Sequence, residues 1–270
     1  MANMRDDQSY ESAFPSSRQF TFDFGELSRR KHHVLGLLEV DVTDARTRIR
    51  HMRRSDKSVS FFAWLVKTVA DCVAVNPQVN GYKSPQGNKV NLFKDVDISL
   101  PVEKNVDGVR VPLPYVIRDA ERKTVSQIHQ EIEAAKSEGV EDESNYILGE
   151  KYSALGMKML VSLPQWLRLA LSRKFLFNNP ARMKDMMGTV VITTVGMVGH
   201  VNGWIVPFGM HTICLGLGSL NQQPSVYKGE IQKREILHLT MLIDHDVVDG
   251  VPAARFTDDL VRKLESAAGI

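Results

Sequence analysis

The chain has 270 residues, a formal net charge of +2, 43% hydrophobic residues and 24% charged ones. That balance belongs to an ordinary globular protein, and so small a net charge excludes the strong field expected of a nucleic-acid binder. Met1 to Glu11 is polar and acidic, which excludes a signal peptide there, and no run of about twenty uncharged apolar residues predicts a spanning helix. Cys72 and Cys214 sit in apolar runs without metal-ligand spacing. They read as buried thiols of a reducing compartment, so a cytoplasmic address and no metal site are expected.

In chain order, residues 1–19 read as a flexible N-terminal arm and 20–270 as one domain. The alternation Phe20-Thr-Phe-Asp-Phe24 is strand-like, and Val34 to Val42 predicts a stronger strand. Arg46 to Lys57 is a basic stretch, read as a solvated helix face or loop. Ser58 opens a helix in which Phe62, Leu65, Val66, Val69 and Val73 recur at helical spacing, and Asn76-Pro77 stops it. Short strands are expected near 90–93, 96–102 and 109–117. Thr124 begins a second helix, with Gln127 placed for a capping box.

Residues 145–185 form a long insertion, apolar and basic. Its stretch 155–177 carries Lys158, Arg168, Arg173 and Lys174, and Pro164 breaks it into two short helices. Three strands follow, Thr189–Val195, His211–Gly216 and Ile236–Ile243. A last helix starts near Pro252, a good first-turn residue, with a stripe of Ala253, Phe256, Leu260, Val261 and Leu264. Strands and helices do not alternate strictly, so the fold class is α+β with a mixed sheet.

The chemistry concentrates at Asp244-His245-Asp246-Val247-Val248-Asp249-Gly250. A strand delivers His245 to its end and a helix follows, which can hold an imidazole rigidly at a cleft. Imidazole titrates near neutral pH and can take a proton from a thiol or hydroxyl. Asp249 or Asp244 can orient it or brace the turn, and Gly250 could adopt a backbone conformation closed to other residues. Alone, His-x-x-x-Asp-Gly is a weak signal, expected by chance in roughly a few per cent of chains this long.

The segment Leu239 to Phe256 resembles the C-terminal signature of the dihydrolipoamide acyltransferases, the catalytic cores of 2-oxoacid dehydrogenase complexes, which share the chloramphenicol acetyltransferase fold. Gly188-Thr-Val-Val-Ile-Thr-Thr-Val-Gly196, Pro207, Ile213-Cys-Leu-Gly-Leu-Gly218, Glu39-Val-Asp-Val-Thr43, Phe61 to Tyr82, and Val109-Arg-Val-Pro112 extend the resemblance in the same order. It implies a two-layer fold with a mixed sheet packed by helices, a homotrimer with its sites between subunits, and coenzyme A or acyl-CoA as substrate. It further implies His245 as general base and Thr193 at the position of a serine that hydrogen-bonds the oxyanion. Thr193 can also be read as a β-branched strand residue and no more. Asp249 is expected to brace the His245 loop against an arginine near the N-terminus, with Arg29 and Arg30 in range. His200 either touches the acyl group or coenzyme A, or is a loop residue; His32 and His33 read as surface.

The chain departs from the pattern in three ways. No covalently bound lipoyl group is expected, so the acceptor is unidentified. The family's basic N-terminal helix is not recognisable in residues 1–33. The 145–185 insertion could cap the coenzyme A tunnel, extend a subunit interface, or lie on a membrane surface through 155–177. The expected activity is coenzyme A-dependent acyl transfer; the alternative is a non-catalytic trimeric assembly or membrane-associated binding protein that retains the fold.

Overall fold

The computed structural model describes residues 16–55, 59–106, 109–137, 159, 162–194 and 202–270. The elements in order are α1 (Ser16–Ser28), β1 (His33–Asp41), α2 (Thr43–Arg54), α3 (Phe61–Val75), β2 (Gly81–Lys83), β3 (Val90–Leu92), β4 (Ile98–Val106), β5 (Val109–Ile117) and α4 (Val125–Ser137). There follow α5 (Gln165–Ser172) with a π-turn over Arg173–Phe177, α6 (Pro180–Met187), β6 (Val190–Thr194), β7 (Ile213–Tyr227), β8 (Glu230–Asp244) and α7 (Gly250–Glu265). A six-stranded mixed sheet runs in the order β1-β8-β7-β6-β4-β5, and β2 pairs with β3. The β6 strand lies parallel to β4 and β7; the remaining pairs are antiparallel.

Helices α2, α3, α4 and α7 bury their apolar stripes on one face of this sheet. Val66, Val69 and Val73 of α3 are sealed there beside Trp64, whose indole donates to Ala268 O at 2.8 Å and ties down the C-terminus. Ser60 caps α3 by accepting from Ala63 N at 3.1 Å, and Asn76-Pro77 ends it. The predicted capping box of α4 is present, with Thr124 N donating to Gln127 Oε1 and Gln127 N to Thr124 Oγ1. In α7, Phe256, Leu260 and Leu264 are buried, while Ala253 and Val261 sit at the margin of the core. The opposite sheet face is covered by the segment from Gly203 to Gly209; a Cβ at Gly216 would stand 2.7 Å from Ile205 O.

Several elements differ from the sequence expectation. Phe20 to Phe24 belongs to helix α1, not to a strand. Phe20 and Phe24 satisfy a period of two and an i, i+4 spacing alike; Asp23 and Leu27, four apart, are buried together with Ser28, and Phe22 is exposed. Helix α1 also begins at Ser16, inside the segment read as an arm. The basic stretch from Arg46 agrees with its helix-face reading as far as Arg54: it lies in helix α2, whose Arg48, Arg50, Arg53 and Arg54 are exposed while Ala45 and Ile49 are buried. Strands β7 and β8 are much longer than predicted, 15 residues each. They are joined by Lys228-Gly229, both at positive φ (53° and 84°), the geometry of a tight hairpin turn whose twist matches its strands.

Of the insertion, α5 starts directly after Pro164 as expected; most of its earlier part lies outside the described residues. Arg168 of α5 is buried in a two-pronged ion pair with Asp23 of α1, at 2.7 and 3.1 Å. It therefore leaves the set of basic residues a membrane surface could meet. Leu176 and Met183 make a second small core with Tyr82.

Candidate active site

His245 occupies the first position after β8, and its imidazole is exposed in the single chain. Hydrogen bonds fix the backbone of this turn on both sides. Asp244 N donates to Thr212 O at 2.9 Å, His245 N donates to His32 O at 2.9 Å, and Asp244 O accepts from Val247 N and Val248 N. The turn therefore hangs between the start of β7 and the start of β1, and α7 begins immediately after it. Beside His245 lies a cavity of about 270 Å³ between β1, the end of β8 and the first turns of α7, walled by Val34, Gly36, Met241, Ile243, Val248 and Ala253.

The carboxylate that braces the turn is Asp244. It is fully buried, its Oδ2 lies 2.6 Å from Lys31 Nζ, and its Oδ1 accepts from Asp246 N at 3.2 Å. Asp249, to which that task was assigned from the sequence, is exposed at the N-cap of α7 without a side-chain capping bond. No ion pair joins it to Arg29 or Arg30 among the described residues, and Arg29 pairs with Glu26. Gly250 is also placed differently from expectation. It stands outside the left-handed region, and a Cβ there would meet nothing within 4 Å, so no backbone demand requires glycine.

Around the turn is a polar cluster. His32 Nδ1 lies 3.1 Å from Asp246 Oδ2, and Lys83 Nζ lies 3.5 Å from Asp246 Oδ1. Burial opposes ionisation of Asp246, but the His32 bond and the Lys83 charge outweigh it and hold its pKa below the ordinary 3.8. His33 Nε2 bonds to His211 O at 3.0 Å, so His33 is an anchor of the sheet end and not a free surface group. His211 donates Nε2–H to Met187 O at 2.7 Å, and its Nδ1 is buried without a partner among the described residues. Burial depresses its pKa to about 4, which keeps it neutral. Burial likewise pushes the Cys214 thiol up to about 12, so it cannot serve as a nucleophile near neutral pH.

Thr193 lies on β6, half-buried, in register with Gly216 of β7 and through it with Thr240 of β8. His245 is five residues beyond Thr240 and two strands away from β6. At ~3.3 Å per residue and ~4.8 Å per strand, the two are roughly 19 Å apart in the sheet. One chain therefore cannot bring both onto the same substrate carbon. His200 lies outside the described residues. The described carboxylates close enough to share a metal ion are Asp95, Asp119 and Glu121. Arg122 and Lys184 already pair with Asp95, and Glu121 accepts from Val96 N.

The mixed sheet, with a long antiparallel strand that hands a histidine to a helix, has a chloramphenicol acetyltransferase-like fold. A chloramphenicol acetyltransferase structure matches with TM-score 0.50 over 99% of both chains, at 15% identity. The family model for the 2-oxoacid dehydrogenases acyltransferase catalytic domain matches residues 27–145 and 176–270, and the chain belongs to that family. The gap between the two matched stretches falls within the 145–185 insertion. A curated relative is the dihydrolipoyllysine-residue acetyltransferase component of the pyruvate dehydrogenase complex of Mycoplasma capricolum, 24% identical over 82% of this chain and 42% of its own length. The chain spans about half the length of the curated relatives it matches.

The dihydrolipoamide acetyltransferase structure of Azotobacter vinelandii matches with TM-score 0.65 at 23% identity, over 98% of this chain and 96% of that one. On that enzyme the roles of a serine, a histidine and an asparagine in the catalytic mechanism were investigated. They are separated by the same numbers of positions as Thr193, His245 and Asp249 are here.

Proposed function

We propose that this chain transfers an acyl group between a coenzyme A thioester and a thiol acceptor such as a dihydrolipoyl group, with His245 as general base. The observation that carries this reading is the turn itself. Its backbone is pinned at both ends and braced by a buried ion pair, and it presents beside an apolar cavity an imidazole that no described side chain engages. The imidazole takes the proton from the acceptor S–H, and the thiolate sulfur attacks the acyl carbonyl carbon. The tetrahedral intermediate collapses with cleavage of the original C–S bond, and the leaving sulfur takes the proton back from the imidazolium.

Thr193 supplies a hydroxyl donor to the oxyanion. With about 19 Å between the two residues in one chain, the His245 of one subunit must work with the Thr193 of another, as in a trimer. The matching spacing in the Azotobacter vinelandii enzyme supports Thr193 as that donor. The two buried thiols support a reducing, cytoplasmic setting. Exposed Trp166, Phe175 and Lys174 support a surface role for the insertion, as a membrane or subunit contact.

The test is acyl exchange between acyl-CoA and dihydrolipoamide. His245→Ala is expected to lower kcat by roughly 10² to 10⁴ while the oligomer survives on size exclusion. Wild-type protein that turns over no acyl-CoA and does not bind coenzyme A in calorimetry would overturn the enzyme reading in favour of a scaffold.

A further inference from the structure

We infer that the cavity beside His245 receives the hydrocarbon chain of the acyl group, and that the enzyme therefore prefers chains of roughly four to eight carbons over acetyl. This rests on the acyl-transfer reading and names the substrate class of the same site. Its first support is two glycines that the fold does not need. Gly36 sits in the middle of β1, in register with Met241. A Cβ there would find Met241 O at 3.9 Å, an ordinary contact, and nothing nearer among the described residues outside its chain neighbours, and its φ lies outside the left-handed region. Glycine weakens a strand and loses more freedom on folding than other residues. Neither close packing nor backbone geometry asks for it at this position. Gly250, which also borders the cavity, is equally unforced. Glycine without a backbone reason marks a place where something else comes close.

The second support is the chemistry of the walls. Apart from His245, the side chains lining the cavity are apolar except for Thr257. Its hydroxyl already lies 2.8 Å from Ala253 O, to which it donates. A pantetheine arm would bring amide groups that these side chains cannot satisfy, whereas a hydrocarbon chain asks for none. The third support is size. A dry cavity of about 150 Å³ holds a benzene ring, so about 270 Å³ is far more than an acetyl methyl group fills. Each methylene taken from water into the cavity is worth about fourfold in kcat/KM when fully buried. This site is open on one side, so the rise from acetyl to hexanoyl is set at about tenfold or more.

The experiment measures kcat/KM for acetyl-, butyryl-, hexanoyl- and octanoyl-CoA with dihydrolipoamide as acceptor, in wild type, Gly36→Val and Ala254→Leu. Ala254 is exposed on α7 and lines the cavity, so its variant folds independently of any strain in β1; thermal melts confirm folding of both. Wild type should rise at least about tenfold from acetyl to hexanoyl. The variants should lose that rise, with the ratio of kcat/KM for hexanoyl- over acetyl-CoA falling to about one. A flat or falling chain-length profile in wild type overturns the inference. So do variants that weaken free coenzyme A as much as hexanoyl-CoA, because the cavity then holds the carrier. If no acyl-CoA is turned over, the acyl-transfer reading fails on its own, and calorimetry decides this one. Affinity must still climb with chain length in wild type and not in Gly36→Val, and equal affinities overturn it.

Discussion

Removing the amine of Lys31 isolates the most deeply buried carboxylate of the site. Asp244 is fully buried, and its charge is met by Lys31 Nζ at 2.6 Å together with one backbone N–H. In Lys31→Met the buried carboxylate loses its partner, which costs about 3–5 kcal/mol for a broken buried pair, so the variant should be less stable by that amount at pH 7.

Urea unfolding of both proteins at pH 7 measures it, and replacing the carboxylate as well, with Asp244→Asn, should recover part of the loss. A deficit below about 1 kcal/mol would refute the reasoning by showing that Asp244 does not depend on Lys31 for its charge. Because Asp244 carries the turn, the variant should also lower kcat in acyl exchange.

Thr193→Val keeps shape and loses the donor, so kcat should fall by roughly 10² to 10³ while Thr193→Ser stays within several-fold; a valine variant with a third of wild-type kcat would leave Thr193 a plain strand residue. His211 is held neutral down to about pH 4, against 6.5 unfolded, because it is buried. Between those values the unfolded chain binds the extra proton, so stability should fall by about 3 kcal/mol as pH drops from 6.5 to 4. Denaturant melts over that range should show the slope, and His211→Gln should flatten it. Further down, Asp41, Glu235 and Asp246, whose pKa values lie below their ordinary ones, release their stabilisation as they protonate. Arg168→Met strands Asp23 in the contact between α1 and α5 and should cost about 3 kcal/mol; a loss under 1 kcal/mol, read by thermal melting, would show that this contact opens freely.

The β8–turn–α7 unit was legible because its signals are local: an apolar run, a histidine at its end, and Pro252 opening a helix. The helix stripes of α3 and α4 were legible for the same reason. What could not be read is what depends on distant partners. Lys31 and Asp244 are 213 positions apart, and nothing near either residue announces the pair. Asp244 was therefore named only as a general support of the turn, beside Asp249 with its family spacing, and its partner Lys31 was not named at all. Asp23 and Arg168 are 145 positions apart, so a buried arginine looked like part of a basic surface. The outer halves of β7 and β8 stayed hidden because Asn221 to Ser225 and Gln232 to Glu235 are polar stretches, and only pairing in the long hairpin makes them strands.

The register that parts Thr193 from His245 has a consequence for heredity as well as for chemistry. On the proposed function, a working centre is the property of a contact between two chains, and neither chain owns it. Two inactive proteins, one lacking His245 and the other Thr193, each still carry half of every centre. Assembled together at random in equal amounts, they should regain about a quarter of the normal centres, since each junction needs an intact histidine on one side and an intact threonine on the other. Two defective copies of the gene could thus complement each other, while either alone would be silent.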